Sequence, residues 1–509
     1  MTALTQKLEN GCRILALTGI TGIGKTALAE RLVVEVSGNG VPFHRLNFDD
    51  RGQGRDFLSG ALALLPKLGE TVTTEDQKDP QNALKHLLQI LRSTQFLIQI
   101  DSMEMLLQGD EQTGWNAFSD ALWVDFFQQL LAGETCQSQL LLTSQALPEE
   151  LEIVGSNYSR YWHDQNLGGL SEAEQLQLFE KQGLKPDEAK IETLKRIGAL
   201  YEGHPLAIAV IARDILDKPF NGNVQQYWQR YQAEFDEIDR DRKKASSPRS
   251  LQLRVKQRVE QSLKRLPADA YQMLCRSSVY RRPVPEEFWL AMVELPEDGQ
   301  WTALELLKSH NLAEQGLRTD GILLLRQHNL VRSVARRLLR TNEAEWRSAE
   351  QTAAQTWLND YEPELDAPNL EQVRGNLEAF HHYCEANRWH DAYDLIANYL
   401  NTPTQEQLHN QLNTWSYYQE QINIYKKLEN QLDKNSNKVI LHNLGNAYLS
   451  IGNFDQALSF YLQRLKIAQQ EEDLKSECTT FQNLGLVYKE IKEYDESIRC
   501  SQGYFILIE

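Results

Sequence analysis

The octapeptide GITGIGKT at positions 19–26 constrains this chain more than any other segment, because an apolar run (ILALT) precedes it and a helix-period pattern follows. Gly19, Gly22 and Gly24 let a short loop curl so that successive backbone N–H groups point inward, and a helix behind the loop adds the partial positive charge of its N-terminus. The helix is written in Leu28, Leu32, Val33 and Val36, which share one apolar face, with Gly38 placed to end it. A strand–loop–helix of this kind makes a phosphate cradle. Gly19, Thr21, Gly22, Ile23, Gly24 and Ala27 are expected around the anion, Lys25 is expected to reach the β- and γ-phosphates, and the Thr26 hydroxyl to ligate Mg²⁺. A glycine-rich turn without a ligand is the bland alternative.

Short apolar runs alternate with helical patterns up to about residue 168, as in a parallel α/β sheet with crossover helices. Candidate strands are residues 14–18, 44–48, 96–100, 139–143 and 161–166. The third ends in Asp101, where a carboxylate can hold Mg²⁺ beside the phosphate loop. Glu104, three residues on, is a candidate to orient or deprotonate an attacking water, or else a loop carboxylate in solvent. LLLTSQ, at 140–145, ends a further buried strand in polar residues. Thr143 and Ser144 could sense a γ-phosphate or simply bond at the strand end. The candidate catalytic set is thus Asp101, Glu104 and Lys25, and the candidate metal pair is Thr26 and Asp101.

With 509 residues the chain is too long for one core, and three or four domains are expected. Its formal charge of -18, from 53 Lys+Arg against 71 Asp+Glu, argues against general nucleic-acid coating, which needs a positive field along phosphates. No run approaches the ~18 apolar residues that a membrane span requires. Residues 14–24 imitate a signal peptide but lead into Lys25 and Thr26 without a small-residue cleavage site, so the cytoplasm is the expected compartment. Six cysteines are scattered without a CxxC pair and read as buried thiols.

Residues 170–216 carry two amphipathic helical patterns, opened by Ser171 and Glu174 as a capping box. The charged, Ser- and Pro-bearing stretch at 237–250 reads as a solvated connection between domains. Helical patterns at 251–263, 268–277 and 301–310, shorter helix around Phe288, and two short strands flanking Asp320 and Gly321 suggest a winged helix, with helix resuming at 330–339. In the last third, Leu444, Gly445 and Tyr448 recur as Leu484, Gly485 and Tyr488, and Gly452, Phe454, Ala457 and Tyr461 follow at tetratricopeptide spacing. Tyr383, Trp389 and Ala392 repeat part of that spacing and suggest a degenerate earlier hairpin. The chain ends at Glu509, inside the second helix of the last hairpin, so further repeats or a covering partner are expected there.

Taken in order, GITGIGKT, FLIQIDSME, LLLTSQ, EGHPLAIAVI and RQHNLVRSVA resemble the NB-ARC type ATPases of the STAND class, over residues 10–345. That class includes plant disease-resistance proteins, the apoptotic protease-activating factor and many bacterial signalling proteins, some with C-terminal tetratricopeptide repeats. The resemblance implies an ASCE-type P-loop domain (1–168), a helical ARC1-like domain (169–240) and a winged-helix domain (241–345); the repeat pattern adds a helical linker with a degenerate repeat (346–436) and tetratricopeptide repeats (437–509). It further implies ATP and ADP with Mg²⁺ as cofactors and a resting form closed over ADP. Pro205 would pack near the adenine, and His328 would contact the ADP β-phosphate. Two departures stand out: Asn329 where the family usually has Asp, and Gln145 where it often has Arg. The phosphate loop begins 18 residues from Met1, so the upstream segment reads as short and without an effector domain.

The expected function is a nucleotide-dependent switch: ADP at rest, ATP when active, slow hydrolysis to reset, a protein or peptide ligand on the repeats, and homo-oligomerisation on activation. Rival readings are a transcription regulator that uses Arg332, Arg336, Arg337 and Arg340 on DNA, a small-molecule kinase, and a scaffold that keeps ADP without hydrolysing it.

Overall fold

The computed structural model describes residues 2–38, 40–49, 54–110, 114–244, 247–318, 320–365, 367–400 and 402–508. They form two compact units: residues 2–60 with 87–352, and residues 61–86 with 353–508.

The first unit is built on a parallel sheet. Strand β1 (Ile14–Thr18) leads through the phosphate loop into helix α1 (Lys25–Ser37), and β2 (Phe43–Asn47), β3 (Leu97–Asp101), β4 (Gln139–Ser144) and β5 (Trp162–Asn166) follow. Their order is β2-β3-β4-β1-β5, every pairing parallel. The three inner strands β3, β4 and β1 are flanked on both sides, and burial within a parallel sheet is why they read as largely apolar runs. All five residues of β1 are buried. Leu32 and Val33 of α1 join Leu15, Leu17, Leu97 and Leu141 in one cluster, with Leu28 and Val36 packed at its margin. The apolar face of α1 thereby fixes the phosphate loop at the C-terminal edge of the sheet, the usual ligand position in α/β folds. The expected strands are all present, shifted by no more than one residue at most ends.

Two expectations need correcting, and one feature is new. Residues 170–216 form three helices rather than two, Glu172–Lys181, Glu188–Leu200 and α2 (Pro205–Leu216). The Ser171–Glu174 capping box that opens the first of them is present. The charged stretch at 237–250 is largely helix: one helix runs Val224–Lys244, and Ser247 caps α3 (Pro248–Leu263). Asp239 explains the first part, because it bonds both Arg242 (3.0 Å) and Lys243 (2.6 Å) one turn on, so dense charge supports the helix. Positions 245 and 246 lie outside the described residues. A hairpin of Leu107–Asp110 with Gly114–Phe118 was not foreseen in the sequence.

After α3 come helices Ala268–Ser277, Glu286–Leu290 and Glu297–Ser309, and a three-stranded antiparallel sheet of β6 (Val284–Pro285), β7 (Glu314–Leu317) and β8 (Leu323–Arg326) in the order β6-β8-β7. Gly321, at φ +88°, lies in the β7–β8 turn, where Arg318 N–H bonds Ile322 O at 2.9 Å. Helix α4 (Asn329–Arg340) follows β8 directly.

The second unit is helical among its described residues. Consecutive helices Arg374–Glu385 and Trp389–Ala397 carry Tyr383, Trp389 and Ala392, and they are followed by α5 (Lys434–Ser450), α6 (Phe454–Gln470), α7 (Leu474–Glu490) and α8 (Tyr494–Ile508). A methyl group on Gly445 would lie 2.4 Å from Tyr461 Cε1, so α5 and α6 are closer there than any side chain allows. Cys12, Cys275, Cys384 and Cys500 are buried as expected, whereas Cys136 and Cys478 are only half-buried; all six are free thiols. No helix among the described residues is long and apolar enough to cross a membrane.

Candidate functional site

The site grows from the end of β1. Gly19, Gly22 and Gly24 take φ values of +143°, +84° and +106°, a backbone path that L side chains rarely follow. Gly24 caps α1, whose first helical bond runs from Leu28 N–H to Gly24 O (2.9 Å). The amides of Lys25, Thr26 and Ala27 lie ahead of that bond, at the positive end of the helix. Within the loop, Ile23 N–H bonds Ile20 O (3.3 Å), and Lys25 Nζ donates to Gly19 O (2.7 Å) and Ile20 O (3.2 Å). The ammonium is thus held over the loop it would serve.

Strands β3 and β4 bring the carboxylate side of the site. Asp101, 2% exposed, accepts from Thr26 Oγ1 at 3.2 Å, from Thr143 Oγ1, and from Arg45 Nη2. Thr143 Oγ1 also accepts Ser102 N–H (3.1 Å), so this side chain works as a strand-end bonding group that fixes the β3 terminus. Ser144 bonds Ala146 O and is turned to its own loop. Glu104 is buried, accepts Gln145 N–H at 3.2 Å, and has its pKa pushed up by burial, against the pull of Lys25. A buried carboxyl with a raised pKa beside a phosphate loop is suited to proton transfer.

Two histidines reach the loop from distant parts of the chain. His204 is fully buried. Its Nδ1 accepts Ala207 N–H (3.3 Å), which caps α2, so the ring proton resides on Nε2 and is donated to Thr21 O (3.1 Å). Burial lowers its pKa to about 4, partly opposed by the Thr21 bond. Pro205 occupies the first turn of α2 directly behind it. His328 caps α4, accepting Leu330 N–H at 3.2 Å, and burial lowers its pKa too. Both rings converge on Gly22: a methyl group there would lie 2.9 Å from His204 Cε1 and 3.4 Å from His328 Cε1. Asn329 donates its side-chain amide to Asp49, which also accepts from Ser102 Oγ. An aspartate at 329 would face Asp49 with like charge, so the asparagine matches its partner here.

A cleft of about 1640 Å³ opens on these groups, larger than the ~300–1,000 Å³ usual for small-ligand sites. Thr21, Gly22, Gly24, Lys25, Thr26, Ala27, Asp101, Glu104 and His328 line it; Gly19, Ile23 and Pro205 are not among its lining residues. Sequence reasoning missed Arg45 and Asp49. Their signal was faint: a lone arginine within a strand, and an acidic pair after it.

No cluster of three or more His, Cys, Asp or Glu side chains able to hold a metal occurs among the described residues. A hydroxyl and a carboxylate 3.2 Å apart nevertheless fit Mg²⁺, which keeps several waters and takes one or two protein oxygens together with phosphate oxygens.

The arginine run on α4 is engaged within the fold. Arg332 donates to Ser278 O (3.1 Å), Arg337 pairs with Glu260, and Arg336 and Arg340 lie over Trp346 at 4.9 and 4.2 Å.

Comparison with known proteins gives the following. A family profile described as the tetratricopeptide repeat matches residues 436–502, so α5–α8 are tetratricopeptide helices. An uncharacterised WD repeat-containing protein of Nostoc sp. (strain PCC 7120) is 28% identical over 226 residues, 43% of this chain and 17% of the Nostoc protein. The chain therefore spans less than a fifth of that relative. Among solved structures, the crystal structure of a Signal Transduction ATPase with Numerous Domains (STAND) protein with a tetratricopeptide repeat sensor from Pyrococcus horikoshii superposes with a TM-score of 0.40 at 15% identity, covering 100% of this chain and 83% of that one.

Proposed function

We propose that this chain is a nucleotide-dependent signalling switch of the STAND class, of NB-ARC type, that binds ADP at rest and ATP when active. The observation that carries the reading is the convergence of His204 and His328 on Gly22, because it ties two separate helix N-termini to the loop that would hold phosphate. Lys25 and the first amides of α1 would bind the phosphate tail, and Thr26 with Asp101 would hold Mg²⁺. The metal held there would supply positive charge against the phosphate tail. Glu104 would accept a proton from an attacking water, and slow hydrolysis would reset the switch. His328 and the Asn329–Asp49 bond would favour the closed form; a longer phosphate tail pressing on the same corner would release them. Pro205, behind His204, is the candidate neighbour of the adenine.

The tetratricopeptide helices support a protein or peptide ligand as the trigger, with self-association of the open form as the output. Arg332, Arg336, Arg337 and Arg340 already have partners within the chain, and this speaks against their use on DNA.

The deciding experiment releases and identifies nucleotide from purified protein, then titrates ADP and ATP with Mg²⁺ by calorimetry. Copurified ADP, lost in Lys25→Ala, is expected. Well-folded protein that gives no heat with either nucleotide would sink the reading. Turnover lost in Asp101→Ala would separate an active switch from a passive ADP-bound scaffold.

A further inference from the structure

Arg45 has a place that the nucleotide reading leaves without a role. It lies on β2, paired in register with Gln99, and therefore sits two residues before Asp101 on the same face of the neighbouring strand. From there the guanidinium spans two carboxylates: Nη1 reaches Glu30 Oε1 of α1 at 3.1 Å, and Nη2 reaches Asp101 Oδ2. The other oxygen of Asp101 is taken by Thr26 and Thr143. Both oxygens of the carboxylate are thus engaged, and the charge on one of them is met by Arg45.

We infer that Arg45 is a resident counter-ion of Asp101 that a divalent cation must displace, so that it sets how much Mg²⁺ the site requires. This inference rests on the nucleotide reading for its biological sense, but the ion pair and its competition with metal can be measured without nucleotide. A guanidinium stays charged at any pH the protein meets, so it leaves Asp101 only by moving. Glu30 gives it somewhere to go: that side chain is 51% exposed and already bonded to Nη1, so Arg45 can swing outward while keeping one partner. Asp101, at 4% side-chain exposure, cannot stand uncompensated, and one cation must replace the other. The arrangement gives the Asp101 carboxylate a counter-charge before metal binds, and it makes metal entry and Arg45 departure one event.

The test compares wild type with Arg45→Ala, Arg45→Lys and Arg45→Gln on the full chain. Half-saturating Mg²⁺ is read from binding of a fluorescent ADP analogue, and Mn²⁺ binding without nucleotide is read from the electron paramagnetic resonance of the free ion. Losing one charge-assisted bond corresponds to about tenfold. Arg45→Ala is therefore expected to need about tenfold less Mg²⁺ and to bind Mn²⁺ more tightly than wild type. Arg45→Gln should follow it, and Arg45→Lys should return toward wild type. A purely structural arginine would lower stability without moving the metal midpoint. The inference is overturned if midpoints coincide, or if Arg45→Ala needs more metal. Nucleotide binding with unchanged Mn²⁺ affinities defeats this inference alone. A Mn²⁺ difference without any adenine-nucleotide binding upholds the counter-ion and defeats the switch.

Discussion

Gly22 in the phosphate loop and Gly445 in the first tetratricopeptide repeat are both motif glycines, yet the fold needs them for different reasons. Gly22 stands at φ +84°, and a methyl group there would also meet His204 Cε1 at 2.9 Å. Gly445 lies within helix α5, where any residue could follow the backbone; what it supplies is room, since a methyl group would lie 2.4 Å from Tyr461 Cε1. Tyr461 cannot retreat freely because its hydroxyl donates to Asn446 Oδ1 at 2.6 Å. A motif letter in the loop thus encodes a conformation for chemistry, and the same letter in the repeat encodes the distance between two helices.

The largest expected effect comes from Gly22→Ala. It combines backbone strain of ~1–3 kcal/mol with overpacking of similar size, and a loop that relaxes when empty must recover that cost on binding. Affinity for ADP with Mg²⁺ should fall by at least about 100-fold, read by calorimetry. Unchanged affinity would mean that His204 and His328 do not brace the loop, and would remove the loop half of the comparison.

Next is the pH response of the His204 brace. Its folded pKa of about 4 lies below the ~6.5 of an unfolded histidine, so between those values the unfolded chain binds more protons. Stability from the neutral buried ring is fully present above pH ~6.5 and is lost as pH falls toward 4, by roughly 3 kcal/mol. His204→Asn keeps a capping oxygen and removes the titration. Denaturant unfolding of the two proteins at pH 7 and pH 4.5 should therefore show the wild type losing more on acidification. Parallel losses would place the acid sensitivity elsewhere.

Gly445→Ala should cost less. Overpacking against Tyr461 costs ~1–3 kcal/mol, and the better helix propensity of alanine returns up to ~1 kcal/mol, leaving a net loss of about 1–2 kcal/mol in thermal or denaturant unfolding. A stabilised variant would show that α5 and α6 can part without penalty.

These contrasts also explain what the sequence made legible. Strand, loop and helix around Lys25 could be read because buried parallel strands are written as continuous apolar runs and because GITGIGKT has few uses. Thr26 and Asp101 were legible for the same reason, each being fixed to the end of such an element. Arg45 and Asp49 were not, since their partners Asp101 and Asn329 lie 56 and 280 residues away, and only strand order and the placement of α4 bring them together. The stretch at 237–250 was misread because composition reports solvation but not the one-turn spacing of Asp239 with Arg242 and Lys243. The pairing of Leu107–Asp110 with Gly114–Phe118 escaped because LQGD and GWNAF, with mostly exposed positions, carry no sustained alternation.

The smallest effect sharpens the comparison most. Gly485 occupies in the second repeat the position of Gly445 in the first, but a methyl group there would meet Cys500 Cβ at 3.6 Å and Ser497 O at 3.7 Å, both ordinary contacts. Where Tyr461 crosses Gly445, the second repeat has the smaller Cys500 and Ser497, and Ser497 Oγ donates to Gly485 O at 2.9 Å. Space is therefore not what the second glycine provides, and its helical position costs it relative to alanine. Gly485→Ala is expected to stabilise the repeats by about 0.5 kcal/mol, against the loss in Gly445→Ala, measured as opposite shifts in unfolding midpoint. If both substitutions destabilise alike, the two helix pairs are equally close in solution, and the difference between the repeats is not a property of their packing.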